Sequence, residues 1–197
     1  SCIAKSMGKQ VVAFEPQPHN LEYLNSNLLE NGWNDAEIFP IGLSNRVDLL
    51  VLYGASGPSA SLVKGWAGYS PRTRQLIPVN KMDSILEGRY SGQKLFIKID
   101  VEGAEFDVLL GAVKTVSRRP RPVWFVEVCL NEFHPSHLND RFFETFNFFW
   151  QEDYEVRTAD KSFGIVTPDD VKRWLNNGKT DTGNFNYLFI PKEDLTL

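Results

Sequence analysis

The chain has little cysteine, no long apolar run and no excess of positive charge. Two cysteines in 197 residues, Cys2 and Cys129, are too few for a disulfide framework and lack the paired spacing of a zinc site. Cys129 follows Val126, Glu127 and Val128 in a run that reads as a buried strand, so an inert core thiol is expected. No stretch approaches the ~18 consecutive apolar residues of a membrane helix, and no signal peptide is visible. A reducing, cytoplasmic setting is therefore expected. The net charge of −4 offers nothing to neutralise a phosphate backbone, which excludes nucleic acid as the expected partner. The basic stretch 114–121 reads as a solvated helix end and its loop. A helix start signal is missing too: Ser1 already stands inside a helical run, which reads as the entry of a truncated chain. There is no internal repeat and no low-complexity segment.

What is present, 42% hydrophobic with 13% aromatic residues, suffices for one α/β domain over residues 1–197. Residues 2–8 read as a helix closed by Gly8, whose backbone freedom suits a left-handed cap. Gln10 to Phe14 reads as a strand buried on both faces and stopped by Glu15-Pro16. Leu21, Leu24, Leu28 and Leu29 recur at three- and four-residue intervals and predict an amphipathic helix from Pro18 to Asn31. Further strands are expected at 36–41, 49–53, 75–79, 94–99, 122–128, 154–158 and 185–190, and helices at 82–86, 104–116, 138–150 and 168–176. Gly54 to Ser70 reads as a mobile loop, with Trp66 and Tyr69 as candidates for a substrate lid. Strands alternating with helices predict a mostly parallel sheet with an antiparallel edge. The aromatic helix through Phe142, Phe143, Phe146, Phe148, Phe149 and Trp150 has the spacing of a face packed on that sheet.

Chemistry is concentrated in two places. Glu15 ends an apolar strand directly before a helix, at the edge where open α/β sheets bind ligands, and its carboxylate can accept from both hydroxyls of a nucleoside ribose. By position alone, a helix-capping acid is an equal reading. The run Lys98-Ile99-Asp100-Val101-Glu102-Gly103-Ala104-Glu105 sets three carboxylates on a strand end, a turn and a helix start, with Gly103 available for the turn. Such acids can position a hydroxyl, hold a cationic cofactor or bind a divalent ion. Glu102 and Glu105 can equally complement the helix dipole, the preferred reading for Glu105. Asp100, ending the strand, is expected to be functional.

Taken in order, Val12-Ala13-Phe14-Glu15-Pro16-Gln17-Pro18, Asn27 with Asn31-Gly32, Gly42-Leu43-Ser44-Asn45, Val79 with Met82-Asp83-Ser84-Ile85, and Ile97 through Glu105 with Leu109 to Ala112 and Pro122 to Val128 resemble the motifs of FkbM-type methyltransferases. The resemblance implies a Rossmann-like class I enzyme that uses S-adenosylmethionine, generally to methylate hydroxyl oxygens of sugars, polyketides and other small molecules. It implies that Glu15 holds the cofactor ribose with Pro16 and Gln17 near the adenine. Gly42 and Leu43 would flank the adenine, Asp100 would sit by the cofactor and the reacting centre, and Glu127 would come to the same edge. The family's first strand and glycine-rich turn have no counterpart in the chain, so the polypeptide as it stands is expected to bind cofactor poorly.

An aliphatic hydroxyl is a poor nucleophile and needs a general base. Asp100, Glu127, His134 and His137 are the candidates, His134 first, while His19 reads as structural. A Mg²⁺-assisted variant would take Asp100, Glu102 and Glu127 as oxygen ligands and is the lesser reading. Two other classes stay open: a nicotinamide-dependent oxidoreductase, in which an acid after the second strand also reads a ribose, and a domain that keeps the fold without catalysis.

Overall fold

In the computed structural model, residues 1–54, 57 and 59–195 are described. The elements in order are α1 (Cys2–Ser6), β1 (Val12–Phe14), α2 (Pro18–Glu30), β2 (Glu37–Phe39), β3 (Gly42–Leu43), β4 (Asp48–Tyr53), β5 (Arg74–Asn80), α3 (Met82–Leu86) and β6 (Phe96–Ile99). There follow α4 (Glu105–Leu110), α5 (Val113–Ser117), β7 (Val123–Glu127), α6 (Phe142–Trp150), β8 (Tyr154–Thr158), β9 (Ile165–Val166), α7 (Pro168–Asn177) and β10 (Asn186–Pro191).

The described strands form three sheets: β1 beside β2, β3-β5-β4, and a five-stranded sheet in the order β6-β7-β10-β8-β9. Pairing is parallel in β1–β2, β3–β5 and β6–β7 and antiparallel in the other ladders, so the expectation of a mostly parallel sheet is met only in part. The late strand pair β8–β10 is antiparallel as expected, with β9 outside it at the edge. β10 lies between β7 and β8, where Tyr187 and Phe189 alternate inward and both are wholly buried. An inner position satisfies the backbone groups on both of its sides. β1 and β6 each pair on one side only among the described residues. Phe96 of β6 is 66% exposed.

The core follows from the aromatic helix. Phe142, Phe146 and Phe149 occupy i, i+4 and i+7 of α6, all wholly buried, and meet Tyr187 and Phe189 of β10 and Trp124 of β7. Cys129 is buried as expected, and burial pushes its thiol well above the ordinary range. Helix α7 has the start that its sequence announces: the Thr167 side chain accepts from Asp170 N–H, the Asp170 carboxylate accepts from Thr167 N–H, and Pro168 opens the first turn.

One expected helix, 104–116, is two. It breaks at Gly111-Ala112, and α5 begins afresh with the Asp83 carboxylate accepting from Lys114 N–H, Thr115 N–H and the Thr115 hydroxyl. The break admits the Gly42–Asn45 turn: a Cβ on Gly111 would stand 2.1 Å from the Ser44 carbonyl oxygen. The φ of Gly111 is −86°, which any residue adopts, so only this contact demands glycine. Gly111→Ala is expected to destabilise the protein by about 1–3 kcal/mol, read as a lowered denaturant midpoint at unchanged slope. Wild-type stability would refute the contact.

Candidate active site at the strand ends

Glu15 follows β1 and does two local jobs. Its Oε1 accepts from Gln17 N–H at 2.8 Å and its Oε2 from Asn20 Nδ2 at 3.3 Å, closing the turn into α2. The capping reading is thus realised, and each oxygen retains a lone pair for a further donor. Gln17 is buried, and Pro16 Cγ lies 3.9 Å from where a Gly42 Cβ would stand, so the Pro16-Gln17 turn and the start of β3 do meet. Gly42 itself is fixed by Ile77 and Val79 of β5, and Leu43 packs its side chain on the main core.

The second group gathers at the ends of β6 and β7. Asp100 is bound to Lys98 Nζ at 2.5 Å, an exposed pair on one face of the strand. Glu127 ends β7 opposite Asn186 of β10, whose Nδ2 approaches Oε2 at 3.4 Å. Glu102 stands between them in a left-handed conformation, φ +57°, unusual outside glycine. Burial is the chief force raising its carboxyl; the N–H of Trp66, 2.8 Å from Oε2, pulls the other way, and the charges of Asp100 and Glu127 add to the rise.

Glu105 stands in the first turn of α4, where complementing the helix dipole is expected of it, but it is buried there. It is 4% exposed and folds back on its own turn, where its Oε1 accepts the Gly103 N–H at 2.9 Å. Burial raises its carboxyl to about 7 despite backbone N–H bonds that favour the charged form. The signal lay in the sequence. Glu105 shares the i, i+3, i+4, i+7 face of Val108, Leu109 and Ala112, all buried.

The stretch where the sequence predicts a mobile loop makes contacts with the β6–α4 turn. Residues 55, 56 and 58 of the Gly54–Ser70 stretch lie outside the described residues. In its remainder, the Ser61 hydroxyl donates to the Glu102 carbonyl, Ala67 N–H donates to the Phe133 carbonyl at 2.8 Å, and Trp66 is 2% exposed. Trp66 was legible as an aromatic in a glycine-rich loop, but its partner Glu102 was not. Tyr69 is packed against Gly54 and Gly57.

His134 lies edge-on to the Trp66 indole, centroids 5.8 Å apart. Its Nδ1 is 2.7 Å from the Ser136 hydroxyl, which in turn donates to the Leu138 carbonyl at 2.7 Å. A carbonyl only accepts, so the hydroxyl proton is committed there and Nδ1 must carry the imidazole proton. Nε2 is left with its lone pair, and burial lowers the ring's affinity for a second proton. His137 is exposed, with φ +58°, and gives its N–H to the His134 carbonyl, while His19 stacks edge-on with Tyr23. The charges of Asp100 and Glu127 thus reach Glu102, His134 meets it only across the Trp66 indole, and His137 and His19 stay in local structure. Among the described residues no three His, Cys, Asp or Glu side chains converge as metal ligands. Asp100 is engaged by Lys98 and Glu102 by Trp66. Among the described residues no helix is long and apolar enough to cross a membrane.

Acids at the carboxyl ends of the parallel strands β6 and β7, with a further acid after β1, define an α/β domain of the kind that binds ligands at its strand ends. The chain belongs to the FkbM methyltransferase domain family, whose model matches residues 1–156. Its fold is similar to the crystal structure of methyltransferase FkbM from Methylobacillus flagellatus KT, at TM-score 0.53 and 21% identity, over 95% of this chain and 39% of that one. The chain thus spans well under half of that protein. No curated protein matches.

Proposed function

We propose that the domain catalyses S-adenosylmethionine-dependent methylation of a hydroxyl on a small molecule, with His134 as general base. The observation that carries this is the Nδ1–Ser136–Leu138 chain, which leaves a neutral Nε2 on a ring that shares the Trp66 indole with Glu102. A base fixed in one tautomer is what a poorly acidic hydroxyl requires. S-adenosylmethionine supplies a methyl group already activated as a sulfonium. The residues present fit it: Glu15 keeps lone pairs for the ribose hydroxyls, the Pro16-Gln17 turn and the Gly42-Leu43 backbone adjoin one another for the adenine, and Asp100 offers an anion to the cationic end. The protein's part is to orient the acceptor, exclude water and take one proton at Nε2. The charge of Asp140 favours the imidazolium formed there.

Calorimetry of the full-length protein with S-adenosylhomocysteine tests the cofactor. Glu15→Gln keeps an acceptor for the Gln17 N–H but loses the charge, and is expected to weaken binding by about 1.5–3 kcal/mol. No binding of the wild type at millimolar ligand would sink the methyltransferase activity; equal affinity for wild type and variant would remove Glu15 alone.

A further inference from the structure

Strand β4 is an outer strand of its sheet, and on its free edge one residue is left without a partner. Tyr53 exchanges both backbone bonds with Ser61 on that edge, its N–H reaching the Ser61 carbonyl at 2.8 Å and the Ser61 N–H returning at 3.0 Å. Gly54 N–H points the other way, to the Thr73 carbonyl beside β5. Direction alternates along an antiparallel ladder, so Val51 presents its N–H and C=O to the same edge as Tyr53. A chain running straight on from Ser61 would answer them with Val63. Instead Val63 N–H bends back to the Ser61 hydroxyl at 2.8 Å, and the chain leaves the edge. On the other side, Leu49 N–H is already taken by the Asp48 carboxylate at 2.8 Å. Among the described residues a single slot, opposite Val51, thus has a donor and an acceptor unanswered.

The slot opens into a cavity of about 230 Å³ whose lining includes Ser44, Arg46, Val51, Leu62 and Asp107. Ser44 is 1% exposed, yet among the described residues its hydroxyl bonds to nothing. Its oxygen is not one of the enclosed atoms, so the little of Ser44 that stays open faces the cavity. Arg46 spends Nε on Asp48 at 3.1 Å and keeps its Nη donors, while Asp107 gives Oδ1 to Asn45 at 3.0 Å and keeps Oδ2. Arg46 and Asp107 line one cavity without pairing with each other. A plain anion there would meet Asp107 and a plain cation Arg46, so the occupant that suits both carries both charges. The volume is that of about eight liquid waters, enough for one amino acid and too little for a peptide.

We infer that this slot binds a free α-amino acid with an apolar side chain, held as one added residue of the sheet. Its ammonium donates to the Val51 carbonyl and one carboxylate oxygen accepts from Val51 N–H, the exchange that Tyr53 makes with Ser61. A guest antiparallel to β4 points its carboxylate toward the start of that strand, where Arg46 and Ser44 supply donors for the second oxygen. Its side chain lies on the same face as that of Val51, in a row with Leu76, and Leu76 and the neighbouring Leu49 are exposed there. Glu15, Asp100, Glu102 and His134 do not line the cavity, so the inference stands apart from the methyl-transfer function proposed above.

Isothermal titration calorimetry of the full-length protein with L-leucine tests the site, beside isocaproate, which lacks the ammonium, and L-leucinamide, which lacks the carboxylate. L-leucine is expected to bind saturably, and each of the other two at least about ten-fold more weakly, the lower end for losing a bond to a charged group. Ser44→Ala and Arg46→Gln are each expected to weaken L-leucine by about ten-fold as well. Both variants should fold, because the Ser44 hydroxyl holds nothing in the protein and Arg46 is exposed. Their affinity for S-adenosylhomocysteine should stay within about two-fold of wild type, as for independent sites. No saturable binding of L-leucine, equal binding of isocaproate or L-leucinamide, or unchanged affinity in both variants would each overturn the assignment. A parallel loss of S-adenosylhomocysteine affinity would overturn it too, by giving the cavity to the cofactor.

Discussion

Phe149→Ala is expected to lower stability by about 3–5 kcal/mol, the range for deleting a buried aromatic ring that its surroundings cannot refill. The ring is wholly buried and stacked on Phe189 with centroids 3.9 Å apart, and Trp124, Phe148 and Tyr154 all meet it edge-on at 5.5 Å. Collapse around the gap is opposed because Phe189 belongs to β10, which is held by ladders on both sides. Equilibrium denaturation measures the loss, and a change under about 1 kcal/mol would show that this face of α6 repacks freely.

A second large effect is expected from pH, through Glu105. Its carboxyl is raised from 4.5 to about 7, so the folded state holds that proton more tightly than the unfolded chain does. The contribution to stability is complete below the unfolded value and is lost as pH rises through about 7, about 3 kcal/mol in all at 1.36 kcal/mol per unit. The exposed Asp160 and Asp181 and the half-buried Asp170, whose carboxyls are lowered by their hydrogen bonds, act in the opposite sense. The effect is therefore read as a difference. The stability of wild type minus that of Glu105→Gln should fall by about 3 kcal/mol between about pH 4 and pH 8. A constant difference would show that Glu105 remains charged in the fold.

Much of the fold could be read from local pattern. The stripe of α6, the Thr167-Pro168-Asp170 start of α7 and the apolar runs of β4, β5, β7 and β8 each carry their own instruction, because hydrophobic period and capping chemistry act within a few residues. The elements that escaped were set by distant partners. Strands β3 and β9 have two residues each, too few for a period, and exist because β5 and β8 offer free ladder edges. The break between α4 and α5 is dictated by Ser44, which nothing near Gly111 announces. In the site, Glu15, Asp100, Glu127 and His134 were legible as acids and a base at strand ends. The tautomer of His134 and the hold of Trp66 on Glu102 were not, since each depends on a loop folding over a turn.

The chain from His134 through Ser136 to Leu138 also has a consequence for the exit of the proton. In the proposed reaction the imidazolium carries protons on both nitrogens, and the one on Nδ1 faces a hydroxyl whose own hydrogen points at a carbonyl oxygen. An amide carbonyl does not relay a proton, so that side is a dead end. The proton gained at Nε2 has to depart through the face by which it arrived, which the methylated product still covers. Resetting the base then waits on product leaving, and buffer molecules small enough to enter beside the product would hasten turnover.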